Sequence, residues 1–398
     1  MEGSQIPLPA PTPALDRPLL IGSEIYRRST YGSRHPLAIP RVSTALDLCR
    51  ALGWVAEGRY LDSPRATPAE LARFHAPAYV AAVQAAEAGQ AVSEEAKARF
   101  NIGVNGNPVF PEIFRRPATA CGASIQAGRL LAALPPDHGP ATIYSPAGGT
   151  HHGRPDRASG FCYFNDPVLA ILALLDGGLE RIFYLDLDAH HGDGVQDAFH
   201  DDPRVFTLSI HEAGRWPMKP REPGGPGGLA DRAGGPEGGW AARNLPVPPG
   251  FNDSELAFLV EAAVLPLIEA FEPEALVVQC GADALEDDPL SRLSLSNLAL
   301  WRAVATVLPT APRRLVTGGG GYNPWSVGRA WAGVWATVNG FAIPERLPAE
   351  AEALLRALSW RHSRGRNPPE RWFTTLADPP RPGAIRDEIR AMARAVLA

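Results

Sequence analysis

From residue 36 to about 98, apolar positions recur at helical spacing, and the Ala- and Leu-rich runs 42–52, 68–74 and 78–88 predict packing helices. Beyond them short β-rich runs alternate with longer helical ones. The pattern predicts strand 142–144, helix 167–175, strand 182–187, helix 194–199, strand 205–210, helix 253–271, strand 275–279, helix 298–307, strand 314–316 and helix 326–338. Such alternation implies an α/β fold, a mostly parallel central sheet flanked by helices on both faces. Two stretches break the rhythm. Residues 1–18 are proline-rich and polar and read as a flexible tail ahead of a single domain over 19–398. Residues 217–239 are crowded with Gly and Pro and predict a long irregular loop, a solvated insertion or the rim or lid of a site.

Five of the predicted strands end in residues capable of chemistry. The first leads to Gly148-Gly149-Thr150-His151-His152, the next to Asp186-Leu187-Asp188-Ala189-His190-His191-Gly192-Asp193, and the third to Ser209-Ile210-His211. The last two lead to Gly281-Ala282-Asp283 and to Gly318-Gly319-Gly320-Gly321-Tyr322. Ligands of open α/β sheets bind at the carboxyl ends of strands, so the five clusters should converge on one pocket. In an extended chain residues two apart share a face, which would point Asp186, Asp188 and His190 the same way.

A carboxylate and an imidazole side by side supply two of the three protein ligands of a catalytic zinc, and Asp283 is the natural third. Such a set leaves one position open for water and a carbonyl, as hydrolysis requires. Asp283 as a helix cap is the rival reading, and Glu286, Asp287 and Asp288 read as a solvated turn closed by Pro289. His151 and His152 could move protons, with Asp186 and Asp193 available behind them to fix tautomer and basicity. Tyr322, after four glycines, could hydrogen-bond an oxyanion. A phosphate loop at Gly318–Gly321 is disfavoured, because no Lys-Ser/Thr follows and Asn323-Pro324 interrupts.

Composition narrows the class of partner. Thirty-eight basic and 43 acidic residues leave a net charge of −5, which argues against nucleic acid and gives no general attraction to an anionic membrane. Cys49, Cys121, Cys162 and Cys280 lie scattered without a CxxC pair, as reduced buried thiols do. The N-terminus lacks a signal-peptide pattern and no apolar run is long enough to span a bilayer, so the expected location is cytoplasmic.

Together the residues from 20 to 340 resemble the zinc-dependent histone deacetylase family, near its class I and bacterial acetoin-utilisation members. The carriers are His151-His152, the run Ser159-Gly160-Phe161-Cys162-Tyr163-Phe164-Asn165-Asp166, Asp186 to Gln196, Gly281-Ala282-Asp283 and Gly318 to Tyr322, in the family's order. The resemblance implies an arginase/deacetylase-like fold and a Zn2+ ion on Asp188, His190 and Asp283. It makes His152, backed by Asp193, the general base and acid, gives His151 with Asp186 an electrostatic role, and sets Tyr322 against the amide carbonyl. Gly160, Phe161, Trp216 and Leu290 would bind the acyl-lysine chain, with the Gly160 carbonyl facing the substrate N–H. Asp186, Asp188, His190, Ser209 and Ile210 correspond to the family's monovalent-cation site, a K+ ion. Arg41 corresponds to the arginine lining the acetate exit path.

The implied function is removal of acetyl or short acyl groups from lysine ε-amines of proteins or peptides, with acetylpolyamine hydrolysis as the alternative. Zinc and ferrous iron both suit the ligands. Two features depart from the family pattern: the rim carries Asn105-Gly106-Asn107 where peptide-binding members place an acid, and the loop after His211 lacks paired aromatics, leaving Trp216 as a tunnel wall. A two-metal ureohydrolase would need further acids on the strand end that this chain lacks. A catalytically dead scaffold would need neither the ligand set nor Tyr322.

Overall fold

The computed structural model describes residues 15–29, 31–32, 35–217 and 241–397. Its strands are β1 (Leu19–Gly22), β2 (Tyr60–Asp62), β3 (Ala141–Ser145), β4 (Ile182–Asp186), β5 (Val205–Glu212), β6 (Ala242–Val247), β7 (Ala275–Gln279) and β8 (Arg313–Thr317). They form one sheet in the order β2-β1-β3-β8-β7-β4-β5-β6, with every pairing parallel. This is the α/β architecture the alternation predicts.

A parallel sheet covered on both faces needs strands apolar on both sides, and the central strands meet that demand. Phe183 and Leu185 of β4 enter one core while Ile182 and Tyr184 enter the other; Leu276 and Val278 of β7 oppose Ala275 and Val277 in the same way. Helices Asn297–Val307 and Pro324–Asn339 cover the first face, anchored by the fully buried Trp325, Trp331 and Trp335. Helices Arg115–Ala132 and Asp166–Asp176 cover the other. Small residues let these two approach closely: a Cβ on Gly128 would stand 2.7 Å from the Ala170 carbonyl oxygen.

The structure departs from the sequence pattern in places with identifiable causes. Helix Arg115–Ala132 has no counterpart in the predicted elements because Pro117, Gly122 and Gly128 interrupt its pattern. Pro117 nevertheless sits in the first turn, where it costs no helical hydrogen bond, and Gly122 packs against the Pro64 backbone. The helix expected over 253–271 is broken into Asp253–Leu259 and Leu265–Phe271 by a π-helical turn, Val260–Val264, just ahead of Pro266. The helix expected over 68–74 ends at Leu71. Edge strands β2 and β6 are short or carry Pro246, which an edge tolerates, and so leave no strong pattern. Three helices after residue 340 (Ala349–Arg356, Arg371–Thr374 and Asp387–Val396) also went unpredicted.

Of the expected tail, residues 1–14 lie outside the described residues, whereas Leu15 is buried. The expected loop 217–239 lies outside them too, apart from Pro217. All four cysteines are free and buried, and no described helix is long and apolar enough to cross a membrane.

Because the helix beginning at Asp166 is seated against Gly128, Gly128→Val should force the two helices apart. The expected cost is about 1–3 kcal/mol, read as a lower denaturation midpoint in urea; an unchanged midpoint would contradict this packing.

Candidate active site

The carboxyl ends of β3, β4, β5, β7 and β8 lie on one edge of the sheet, and the polar clusters that follow them meet there. Asp188, His190 and Asp283 each offer one ligand atom, all within 4.8 Å of one another. Asp186 is not in this group, contrary to the shared face expected for positions 186, 188 and 190. Strand β4 ends at Asp186, so alternation stops, and the Asp186 carboxylate turns to accept the Asp188 N–H (3.0 Å) and the Tyr184 hydroxyl (2.7 Å).

Backbone without side chains makes room for the cluster. A Cβ on Gly281 would overlap the Asp188 carboxylate, and one on Gly320 would overlap that of Asp283. The Gly320 N–H donates to Asp188 Oδ2 at 2.6 Å, and the Ala189 N–H to Asp283 Oδ1 at 3.0 Å. His190 Nδ1 lies 3.2 Å from Asp188 Oδ1 and 2.9 Å from Asp283 Oδ2. Both carboxylates are wholly buried. Burial disfavours charge on His190, but the hydrogen bonds and charges of the two aspartates outweigh it and push its pKa up to about 10. Asp283 is raised by burial and by the charge of Asp188. One imidazolium thus bridges two carboxylates where a divalent cation suits the donor set of one nitrogen and two carboxylate groups.

Beside the cluster stand the paired histidines. His151 Nδ1 lies 2.7 Å from Asp186 Oδ2 and His152 Nδ1 2.7 Å from Asp193 Oδ1, while their Nε2 atoms face each other at 2.9 Å. Each Nδ1 thus faces a carboxylate, and the two Nε2 atoms face each other. Burial opposes charge on both rings. Asp186 and Asp188 overcome it at His151, raising its pKa to about 9, whereas at His152 burial and the charge of His151 prevail over Asp193 and lower the pKa to about 3. His152 is therefore the neutral member. The segment is held from behind: Asn165 Nδ2 donates to the His151 and Gly153 carbonyls, and buried Asp166 accepts from the Gly149 and Thr150 N–H groups and from Ser124.

Tyr322 is buried, and burial together with Asp283 and Asp188 raises its pKa, so the phenol keeps its proton. Its backbone N–H donates to Asp288 Oδ2 at 2.6 Å. Asp288 is fully buried and also accepts from Leu290 N–H, which corrects its assignment to a solvated turn. Asp287 is not free either, since it accepts from Arg371 and the Trp372 indole, and Glu286 accepts from Ser294. The chain folds this run back over itself because Tyr322 and the C-terminal helices need acceptors there.

Above the cluster opens a cavity of about 690 Å³ lined by Gly160, Phe161, Trp216, Leu290, His152 and Tyr322 among others. Trp216 packs edge-on against His152 (4.7 Å between centroids) and Phe161 edge-on against Tyr322 (5.9 Å). Phe161 has φ +68°, a strained conformation for a bulky side chain, and the Asn107 side chain holds it by accepting the Phe161 N–H at 3.1 Å. Asn107, part of the triplet standing where a rim acid was expected, is thus buried as a strut for the tunnel wall. Half-buried Arg41 donates to the Gly319 carbonyl (2.8 Å) and lines a small inner cavity of about 40 Å³ with Gly149, Thr150 and Tyr322. Ser209 pairs with Asp186 in the β4–β5 register, and Ile210 follows it in buried strand.

Arg154 escaped the sequence reading, which also missed what Asp288 and Asn107 hold in place. Arg154 pairs with the second oxygen of Asp193 and with Asp197. Its position two residues after His152 was the available signal.

Residues 35–338 match the family model described as histone deacetylase domain. The chain is 31% identical to the acetoin utilization protein AcuC of Bacillus subtilis over 83% of its own length and 84% of that protein's. It is 32% identical to human histone deacetylase 1 over 80% of its length, spanning 64% of that protein, and it spans 61% of a Caenorhabditis elegans relative. A crystal structure of an HDAC homolog from Aquifex aeolicus superposes with a TM-score of 0.87 at 35% identity, covering 96% of this chain and all of the other. Another, of an HDAC homolog complexed with SAHA, superposes at 0.86 with 36% identity and covers the same shares.

The proton on His190 competes with any metal ion at this site. With that pKa near 10, binding should expel one proton throughout the neutral range, so zinc affinity should rise about tenfold per pH unit between roughly pH 6 and 9. Competition titration against a chromophoric chelator measures this, and a pH-independent affinity would contradict the assigned ligand.

Proposed function

The chain belongs to the histone deacetylase family, and from that premise we propose that it is a zinc-dependent amidohydrolase releasing acetyl or short acyl groups from the ε-amine of lysine in proteins or peptides. The observation that carries the reading is the convergence of Asp188, His190 and Asp283 at the floor of a cavity whose wall includes both His152 and Tyr322. Asp188, His190 and Asp283 would hold the zinc ion. The chemistry such an ion supplies is polarisation of the amide carbonyl and acidification of water near neutral pH.

Every other part falls to the protein. Neutral His152 accepts the proton of the attacking water at Nε2 and returns it to the departing amine, with Asp193 fixing Nδ1–H. Charged His151, held by Asp186, favours the negative charge that develops next to it. The protonated phenol of Tyr322 donates to the carbonyl oxygen as it becomes an oxyanion. Phe161 and Trp216 confine the alkyl chain and shed water, and Arg41 lines the way out for the carboxylate product. The buried Asp186 and Ser209, adjacent in register, would hold the monovalent cation, K+, that steadies this end of β4.

Lysine is favoured over a polyamine by the character of the mouth. Glu212 is the one acid among the described residues lining it, and both its oxygens are engaged by Arg215, at 2.5 and 2.9 Å. A polyamine's free ammonium groups would find no open carboxylate among the described residues of the mouth.

Two outcomes test the reading. Deacetylation of an acetyl-lysine peptide should vanish with a chelator and return with zinc. Tyr322→Phe should lower kcat by roughly two to three orders of magnitude with KM little changed, as loss of an oxyanion donor does; steady-state kinetics in which kcat falls less than tenfold would remove Tyr322 from that role.

A further inference from the structure

We infer that the tunnel mouth selects acyl-lysine substrates bearing a carboxylate next to the reacting side chain, and that Arg292 receives it. The inference rests on the deacylase reading above and specifies its substrate. The charges at the mouth carry it. Asn101, Asn105 and Asn107 are neutral, and the Glu212–Arg215 pair cancels. Arg292 remains: its side chain is exposed and makes no ion pair with any described residue.

Its backbone, in contrast, is fixed from both sides. The Arg292 N–H donates to Glu212 Oε2 at 2.8 Å, and its carbonyl accepts from the Gly250 N–H at 2.7 Å. Glu212 is buried, so one carboxylate ties both arginine-bearing loops to the end of β5. A guanidinium carried on a fixed backbone at the lip of a cavity, with its planar fork of donors unspent, matches a carboxylate and repels an ammonium. The carboxylate has two sources, the α-carboxylate of a terminal acyl-lysine or an Asp or Glu side chain beside an internal one.

The test uses the full chain loaded with zinc and compares kcat/KM for five substrates. These are a peptide with internal acetyl-lysine and neutral flanks, the same peptide with a flanking Asp, a peptide ending in acetyl-lysine as the free acid or the carboxamide, and acetylspermidine. One carboxylate-bearing form should exceed its neutral counterpart by about two- to fivefold at low salt, the range of an exposed ion pair. Which form wins identifies the source. The advantage should shrink in roughly 0.5 M salt as screening shortens the reach of charge. Arg292→Ala should erase the ratio, Arg292→Lys should keep part of it, and Arg292→Glu should invert it in favour of acetylspermidine.

Turnover of neutral peptide without preference for either carboxylate form, or a preference that survives Arg292→Ala, overturns the inference and leaves the deacylase reading standing. Turnover of acetylspermidine with no acyl-lysine peptide hydrolysed, neutral ones included, overturns the deacylase reading itself and the inference with it.

Discussion

Four wholly buried carboxylates at the carboxyl edge of one sheet, on Asp186, Asp188, Asp283 and Asp288, are the constraint around which this end of the molecule is built. An isolated carboxylate in such surroundings is strongly unfavourable, so each must have partners. Asp186 has the Tyr184 hydroxyl and the His151 ring, and Asp288 has the N–H groups of Leu290 and Tyr322. Asp188 and Asp283 share the His190 ring between them, with the Gly320 and His190 N–H groups donating to Asp188 and the Ala189 N–H to Asp283. Two carboxylate groups and one imidazole converge there, a donor set that suits a divalent cation.

The neighbouring features follow from holding those carboxylates close together. Glycines at 281 and 320 leave out the Cβ atoms that would occupy the carboxylate positions. The Trp331 indole, buried under the sheet, donates to the Cys280 carbonyl at 2.9 Å and pins the turn that carries Asp283. The same crowding of charge separates the two histidines, one held charged and the other neutral at 2.9 Å. The paired histidines and the Asp188–His190–Asp283 cluster are therefore one electrostatic unit.

Much of this was legible in the chain. The alternation of strand and helix gave the sheet, because β4 and β7 are buried on both faces and open on unbroken apolar runs. Position at strand ends gave the clusters that meet. Elements whose pattern is set by tertiary contact stayed hidden: helix Arg115–Ala132 needs glycines at its contacts, β2 is a short edge strand with little burial to write into sequence, and edge strand β6 has its apolar pattern broken by Arg243, Asn244 and Pro246. Asp288 was misread for a related reason, since an acidic run beside proline looks like a surface turn until the backbone of Tyr322 requires its acceptor. Asp186 was expected to share a face with Asp188 and His190 because alternation was carried past the residue where β4 ends, whereas its expected pairing with His151 is present.

The central claim is that Asp188, His190 and Asp283 jointly hold one divalent ion. Zinc content after equilibrium dialysis tests it most directly, on the intact chain and on Asp283→Ala checked for folding by circular dichroism. The account predicts one zinc per intact chain and almost none in the folded variant; full retention of zinc by Asp283→Ala would contradict it.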